Sequence, residues 1–409
     1  MLKFAKDDRG IAVVWVAVSI GIIIGAAVLA IDLSSIQTTR TQLQNAADAA
    51  VLAGVRDLKP SGSLSLAERQ QNATQTAIGI AALNRAFIDK TVGPVDITGA
   101  DVTFPEVNRI TVRTHRTEAT GDPLRTFFVR LIPPFGDGLA DVQADATAEI
   151  VPASGTRGFF PWVLPDRFND TDDDGEWDAE PEPFTDLNGN EEWDPGEPYD
   201  DVDKHGTYSE GDEYDPITTG YGTAPPSPFN DVGIELVLKQ GNPAGTLTSG
   251  FFYPTRWPPT DYYTGESPLG GGSIYNDWIV NKSPYLVQIG DVLRLEFGNM
   301  QGPTKQGVNQ IIDECPTSFF NEETGLVEGH SHDLSVDCPR IGAIAFFDPS
   351  NVQGSSDKFV TVVKLSHWFV ESIQAQNTVY GRLIEIVDPD AVTGGGFGGG
   401  FVYKTRLVE

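Results

Sequence analysis

The sequence predicts an α+β fold: an N-terminal transmembrane helix continuing into a long exposed helix, then a β-rich extracytoplasmic body with an inserted acidic loop segment. Three observations predict it. An uncharged apolar run sits near the N-terminus, hydrophobic periodicity changes from helical to alternating after about residue 90, and Gly (43) and Pro (28) are abundant. A chain of 409 residues is long enough for two or three domains with a sizeable core. The expected segments are 1–59 (anchor and long helix), 60–152 (a small α+β domain), 166–215 (acidic repeats), 216–390 (a mainly antiparallel β domain) and 391–409 (a Gly-rich hinge and terminal strand).

Ile11 to Ile31 contains no charge, and Ser19 is its only polar side chain. As a helix this stretch is about 30 Å long, the thickness of a bilayer's hydrocarbon core. Lys3, Lys6 and Arg9 precede it, so the positive-inside rule keeps the N-terminus cytoplasmic and exports the body. A cleaved signal is the rival reading. The run is longer than a usual signal core, and no small-x-small site is followed by obvious mature sequence, which favours an anchor. No Pro occurs from there to Pro60, and Leu33, Ile36, Leu43, Ala46, Ala47, Ala50 and Val51 keep helical spacing. One helix from Gly10 to Asp57 would be roughly 70 Å long. Its Ala-rich stripe calls for a close-packed partner. Ser65–Asp89 supplies one, with Ser65 and Glu68 as a capping box and Ala77, Ile80, Ala81, Asn84, Phe87 and Ile88 near one face.

Arg9-Gly10 before the span, Asp32 at its end and "LQNAADAAVLAG" (Leu43–Gly54) together resemble the N-terminal module of TadE/TadG-like proteins of Tad (Flp) pilus assembly. "GDVLRLEFGNMQGPTKQGV" (Gly290–Val308) is similar to a segment of long members of that group. The resemblance implies pilus or envelope assembly proteins as partners. It has two departures. Asp32-Leu33-Ser34-Ser35 is not the Asp-x-Ser-x-Ser motif of the von Willebrand A domain found in many long TadG-like proteins. The fifth residue after Gly10 is Trp15 rather than the Glu of pilin precursors. An uncleaved accessory protein is therefore expected in place of a major pilin.

Beyond residue 90, Asp96–Phe104, Asn108–Ala119 and Leu139–Val151 alternate as half-buried strands do, and Pro123–Ile132 reads as a short helix. Val232–Leu238, Tyr285–Phe297, Ile341–Phe347, Phe359–Val370 and Thr378–Val387 are further strands. A hinge, Gly394–Gly400, precedes a terminal strand that could pair with an open sheet edge.

The net charge is −30, and residues 166–215 hold 21 acidic side chains against Arg167 and Lys204. Such a surface argues against nucleic acid and for cations. Three stretches repeat there: Asp170–Phe184, Asp186–Tyr199 and Asp201–Tyr214. In the second, Asp186, Asn188, Asn190, Asp194 and Glu197 fall at positions 1, 3, 5, 9 and 12 of an EF-hand-like calcium loop, with Glu192 offering its carbonyl at position 7. The first has Asp170, Asp172, Asp174, Glu176 and Asp178, but position 12 is Pro181 and the nearest acid is Glu182. The third has Asp201, Asp203 and Asp212, with His205 at position 5 and Ser209 at position 9. Pro165, Pro181, Pro183, Pro195 and Pro198 forbid flanking helices. The expectation is tandem Ca²⁺ loops without EF-hand helices, with Trp177, Phe184, Trp193 and Tyr199 as apolar staples between them. A disordered acidic linker is the alternative.

Cys315 and Cys338 are the only cysteines. A disulfide, worth about 3 kcal/mol by loop entropy, is preferred to two free thiols or to a metal site with His330 and His332. No H-E-x-x-H, G-x-S-x-G or P-loop occurs, so no enzyme is expected. The leading functional reading is a membrane-anchored, calcium-stabilised structural or accessory protein of a Tad (Flp)-like pilus or related envelope assembly. The alternatives are a calcium-dependent adhesin presenting Trp257, Tyr262, Tyr263 and Trp278, or a pilin-like filament subunit that binds copies of itself.

Overall fold

The structure is a computed structural model. It describes the chain except residues 1–7, 60–63, 89–90, 127–137, 172–176, 179, 202–207, 209, 223–230, 242–252, 261–266, 330–336, 394–400 and 409; at 8–12 and 88 it describes the backbone alone. The chain divides into two compact units, one of residues 1–60, 64–150 and 405–409, the other of 61–63 and 151–404.

The first unit begins with helix α1, Asp8–Gly54, which tightens into a 3₁₀ turn at Val55–Leu58. Two environments succeed each other along it. Large apolar side chains from Val13 to Leu33, apart from half-buried Val28, stand 48–70 % exposed, whereas Leu43, Ala46, Ala47, Ala50 and Val51 are fully buried. Helix α2, Leu66–Leu83, packs against that second half through Ala73, Ala77 and Ala81. Its start is the expected capping box: Ser65 N donates to Glu68 Oε2 (2.9 Å) and Glu68 N to Ser65 Oγ (3.3 Å). Small residues let the two backbones approach. A Cβ added at Gly54 would lie 2.8 Å from the Ala73 carbonyl oxygen, so the Ala-to-Gly pattern there is a packing requirement.

Helix α2 ends six residues before the sequence expectation. Phe87 and Ile88, expected on its buried face, lie instead on strand β1 (Arg85–Ile88), which pairs with β2 (Thr91–Pro94). Asn84, extended and with its amide N–H on Ala81 O, is where the helix stops. Strand β3 (Val102–Thr103) pairs with β4 (Arg109–Arg116), and β4 pairs with β7 (Val142–Pro152), all antiparallel. On β4, Ile110, Val112, Thr114 and Arg116 point inward at period two. Thr114 Oγ1 donates to Leu43 O at 2.9 Å, fixing α1 to this sheet. The expected helix at 123–132 opens as strand β5 (Leu124–Arg125), paired with β6 (Leu139–Ala140); its remainder falls largely outside the described residues.

In the second unit, β8 (Gly155–Thr156) leads to β9 (Phe159–Pro165), and β10 is Glu235–Lys239. After helix α3 (Gly272–Val280) come β11 (Val287–Gln288), β12 (Val292–Arg294) and helix α4 (Gln301–Glu314). A hairpin of β13 (Phe319–Asn321) and β14 (Leu326–Glu328) precedes β15 (Ile341–Phe347), β16 (Phe359–Ile373), β17 (Val379–Ile384) and β18 (Ile386–Val387). The main sheet runs β10-β17-β16-β15-β9, with β12 also on β16. It is antiparallel except where β9 joins β15 in parallel. Phe159, Phe160, Trp162, Trp257, Phe346, Phe347, Trp368 and Phe369 fill its core. The terminal strand β19 (Val402–Val408) starts in this unit, where Val402 and Tyr403 pair with Ile386 and Val387.

Candidate functional site

The acidic segment leaves the main sheet at the end of β9 and is tied down by buried charge where it leaves and where it returns. Asp166 Oδ1 accepts from the backbone N–H groups of Arg167 (3.0 Å) and Tyr221 (2.8 Å). Its Oδ2 meets Lys364 Nζ at 2.9 Å and accepts from the Tyr214 hydroxyl at 3.1 Å. Lys364 projects from β16 and also donates to Tyr221 O (2.7 Å). Burial pushes the Asp166 carboxyl up and the Lys364 amine down, while their mutual attraction opposes both shifts. Burial first, and Asp166 second, hold the Tyr214 phenol protonated. Beside this pair Arg167 bonds Asp231 (2.7 Å), Thr219 O and Gly220 O, and Asp231 accepts from Gly222 N (2.7 Å). A Cβ at Gly220 would come within 2.2 Å of Lys364 Nζ, so only Gly fits between the ions.

Above this clasp the second repeat folds as a loop organised by its own side chains. Asp186 accepts from the N–H groups of Asn188, Gly189 and Glu191, Asn188 Oδ1 from Asn190 N, and Asn190 Oδ1 from Glu192 N. The Asn188 and Asn190 amides both reach Asp194 Oδ2, at 2.5 and 3.0 Å. Glu197 closes the loop, one carboxylate oxygen accepting from Leu187 N (2.8 Å) and the other from Asp194 N (3.1 Å). Position 6 is Glu191, at φ +66°, and Gly189 at position 4 has φ +79°. Backbone N–H groups, that of Glu191 foremost, lower the Asp186 carboxyl below the usual aspartate range.

The first repeat closes differently. Its described donors are Asp170 and Asp178; Asp172, Asp174 and Glu176 lie outside the described residues, as does Asp203 of the third. Asp212, expected to close the third loop, accepts instead from Thr171 N (3.0 Å) and Asp178 N (2.9 Å). Those are positions 2 and 9 of the first loop, the same two positions that Glu197 caps in the second. Asp212 N donates back to Asp178 O (2.7 Å), and Asn169 and Glu213 bridge as a short antiparallel pair. Glu182, expected to be the displaced closing acid, is buried near Tyr208, whose phenol it helps to raise. Glu192 and Asp201 are exposed.

The expected staples are present. Trp193 stacks on Tyr208 at 4.5 Å and meets Tyr199 edge-on, Phe184 packs edge-on against Tyr208, and Trp177 against Phe168. Among the described residues no group of three or more His, Cys, Asp or Glu side chains is arranged to hold a metal ion. The all-oxygen donor set of the second loop is nonetheless the chemistry of Ca²⁺ coordination.

Elsewhere, Cys315 and Cys338 are buried free thiols with sulfurs 2.7 Å apart. His330 and His332 lie outside the described residues, as do Tyr262 and Tyr263. Trp257 and Trp278, expected as exposed adhesin contacts, are buried in the core, where Trp257 packs on Phe159. Their Pro/Gly-rich surroundings suggested surface; the apolar area of the rings decided otherwise. Sequence reading missed the Asp166–Lys364 clasp. Its signal was a lone Lys in the apolar run of Phe359–Val370.

The whole is an α/β chain led by one helix long and apolar enough to cross a membrane, a property that anchors share with signal sequences. Residues 10–57 match the family model described as "Putative Flp pilus-assembly TadE/G-like". No curated protein and no solved structure matches the chain.

Proposed function

We propose that the chain is a membrane-anchored, non-catalytic structural or accessory protein of a Tad (Flp)-like pilus or related envelope assembly, with pilus-machinery proteins as its partners. The observation that carries this reading is the division of α1. Its first half exposes a continuous apolar surface, its second half is packed into a folded unit, and both halves fall within the TadE/G-like match. A bilayer satisfies the first half; beyond the first turn its backbone polar groups are paired within the helix. Cell fractionation with mass spectrometry of the mature N-terminus tests it. An uncleaved chain released from inner membranes by detergent but not by carbonate is the expected result. A soluble chain beginning after Ile31 would overturn the anchor, and recovery in sheared filaments would make the chain a pilin-like subunit.

Calcium belongs to the same reading. In the second loop the ion would fall to Asp186, Asn188, Asn190, Asp194 and Glu197 with the Glu192 carbonyl. In the first it would fall to Asp170 and Asp178, with Asp212 as the closing carboxylate. Bound Ca²⁺ would place positive charge among the crowded carboxylates and hold the loops together, a stabilising role without chemistry. Isothermal titration of the full chain in detergent, after removal of divalent ions, tests it; no heat at millimolar Ca²⁺ would end the calcium reading and leave the anchor untouched.

A further inference from the structure

We propose that Cys315 and Cys338 form a disulfide in the exported body, and that the bond is made while the chain folds rather than afterwards. The proposal rests on the export reading above. Cys315 ends α4 and Cys338 lies just before β15, 23 residues apart, yet their sulfurs are 2.7 Å from each other. Both are buried, with Val327, Ile341, Phe369, Ile384 and Ile386 forming an apolar wall around them. Ser318 Oγ lies 2.6 Å from Cys315 Sγ and 3.5 Å from Cys338 Sγ, and is the polar neighbour of the pair.

The two sulfurs do not depend on a covalent bond for their meeting. Arg340 holds the backbone on both sides: it donates to Cys315 O (3.2 Å), Ser318 O (2.9 Å), Val370 O (2.9 Å) and Glu371 O (2.9 Å), and its guanidinium covers the Phe369 ring at 4.3 Å. Two thiols brought this close by unrelated contacts need only a small side-chain adjustment to reach bonding geometry. Timing follows from burial. Exposure of 3 % and 0 % leaves no approach for an oxidant in the folded chain, and burial pushes the Cys338 thiol up, so little nucleophilic thiolate exists there. Oxidation must therefore precede closure of the apolar wall. The oxidant is a disulfide-bearing dithiol carrier of the export compartment. One cysteine thiolate attacks the carrier disulfide, giving a mixed disulfide and releasing one carrier thiol. The second thiolate attacks the mixed disulfide at the protein sulfur and releases the other carrier thiol. Two electrons and two protons thus pass to the carrier. The product encloses the β13–β14 hairpin in a covalent loop.

The test uses the full chain, recovered from membranes under acid quench, unfolded without reductant, and treated with a maleimide. The expected result is no labelled cysteine, with a cross-linked Cys315–Cys338 peptide 2 Da lighter than the two thiol peptides. Refolded wild type, once folded, should resist reduction by millimolar glutathione, and Cys315→Ser with Cys338→Ser should fold but melt roughly 5 to 10 °C lower. A parallel arm refolds the reduced chain in detergent with a glutathione redox couple. No cross-link in that arm overturns the pairing itself. A cross-link there, combined with free thiols in the cell-derived chain, is resolved by adding external protease to spheroplasts. A digested body overturns the disulfide in the cell; a protected body overturns export and leaves the pairing standing.

Discussion

The acidic segment treats charge in two opposite ways. At its base, Asp166 and Lys364 are almost wholly removed from water and hold each other, with every Asp166 oxygen also accepting hydrogen bonds. In the second loop, Asp186 is only half-buried and accepts from the backbone N–H groups of Asn188, Gly189 and Glu191. The difference teaches where a cation can act. The buried carboxylate already has its counter-charge and leaves no role for an ion, whereas Asp186 is gathered by backbone dipoles. On the calcium reading, the base is thus permanent and the loops conditional.

The sharpest way to break this contrast is at the base. Lys364→Met should destabilise the chain by about 3 kcal/mol, because Asp166 is left buried without its counter-charge. Asp166→Leu with Lys364→Met should recover most of that loss, since an apolar pair avoids the desolvation of both ions. Urea midpoints of the two variants, measured in the same detergent, decide the matter. Equal losses in both would mean that the hydrogen bonds of Asp166, and not the ion pair, hold the segment.

Calcium should act next most strongly, and on the loops alone. At a concentration one hundred times the dissociation constant, each occupied loop contributes about 2.7 kcal/mol by mass action. The expected outcome is a higher melting temperature in Ca²⁺ than in excess chelator, with slower proteolysis between Asp170 and Asp215. Lys364→Met should shift the melting temperature downward in both conditions without abolishing the difference. Identical proteolysis with and without chelator would make the loops self-sufficient.

How far the sequence could be read depended on the range of the interactions involved. The long helix and the strand at Arg109–Arg116 follow from local periodicity, the capping box at Ser65 from its spacing, and the strand at Ile341–Phe347 from a short apolar run. Strand β9, "FFPWVLP", carries no period because most of it is buried on both faces, and helices α3 and α4 begin in Gly- and Pro-rich stretches that read as loop. The fold of the second loop was legible because Glu197, which caps it, lies eleven residues after Asp186. The cap of the first was not legible, because Asp212, which provides it, lies 41 residues beyond Thr171. No spacing rule within one repeat can show a residue borrowed from another. Trp257 and Trp278 failed for a related reason: burial belongs to the assembled core and not to the local composition.

A borrowed closing acid implies a separable effect. Asp212→Asn and Glu197→Gln each replace one accepting oxygen by a donor that faces a backbone N–H, at a cost of about 1 kcal/mol for half-buried Asp212 and somewhat more for buried Glu197. Hydrogen exchange read by peptide should locate the two losses apart: Asp212→Asn speeds exchange between Thr171 and Asp178, Glu197→Gln between Leu187 and Asp194. Faster exchange confined to the third repeat in Asp212→Asn would return that residue to its own loop.

The smallest effect should be a gain. Glu191 holds φ +66°, a left-handed conformation that costs a side-chain-bearing residue about 1 kcal/mol and glycine almost nothing. Glu191→Gly removes that cost, although the glycine also frees the unfolded chain, so the net stabilisation should be about 0.5 kcal/mol. The Glu191 N–H that Asp186 accepts is a backbone group and survives the change. Gly189→Ala is the complementary variant: at φ +79° the new Cβ meets no neighbour, so any loss of about 1 kcal/mol reports backbone conformation alone. Opposite signs for the two variants, read from melting in Ca²⁺, would establish that the second loop keeps its left-handed turn in solution. A stabilising Gly189→Ala would mean that the loop, unlike the clasp, does not hold this backbone in solution.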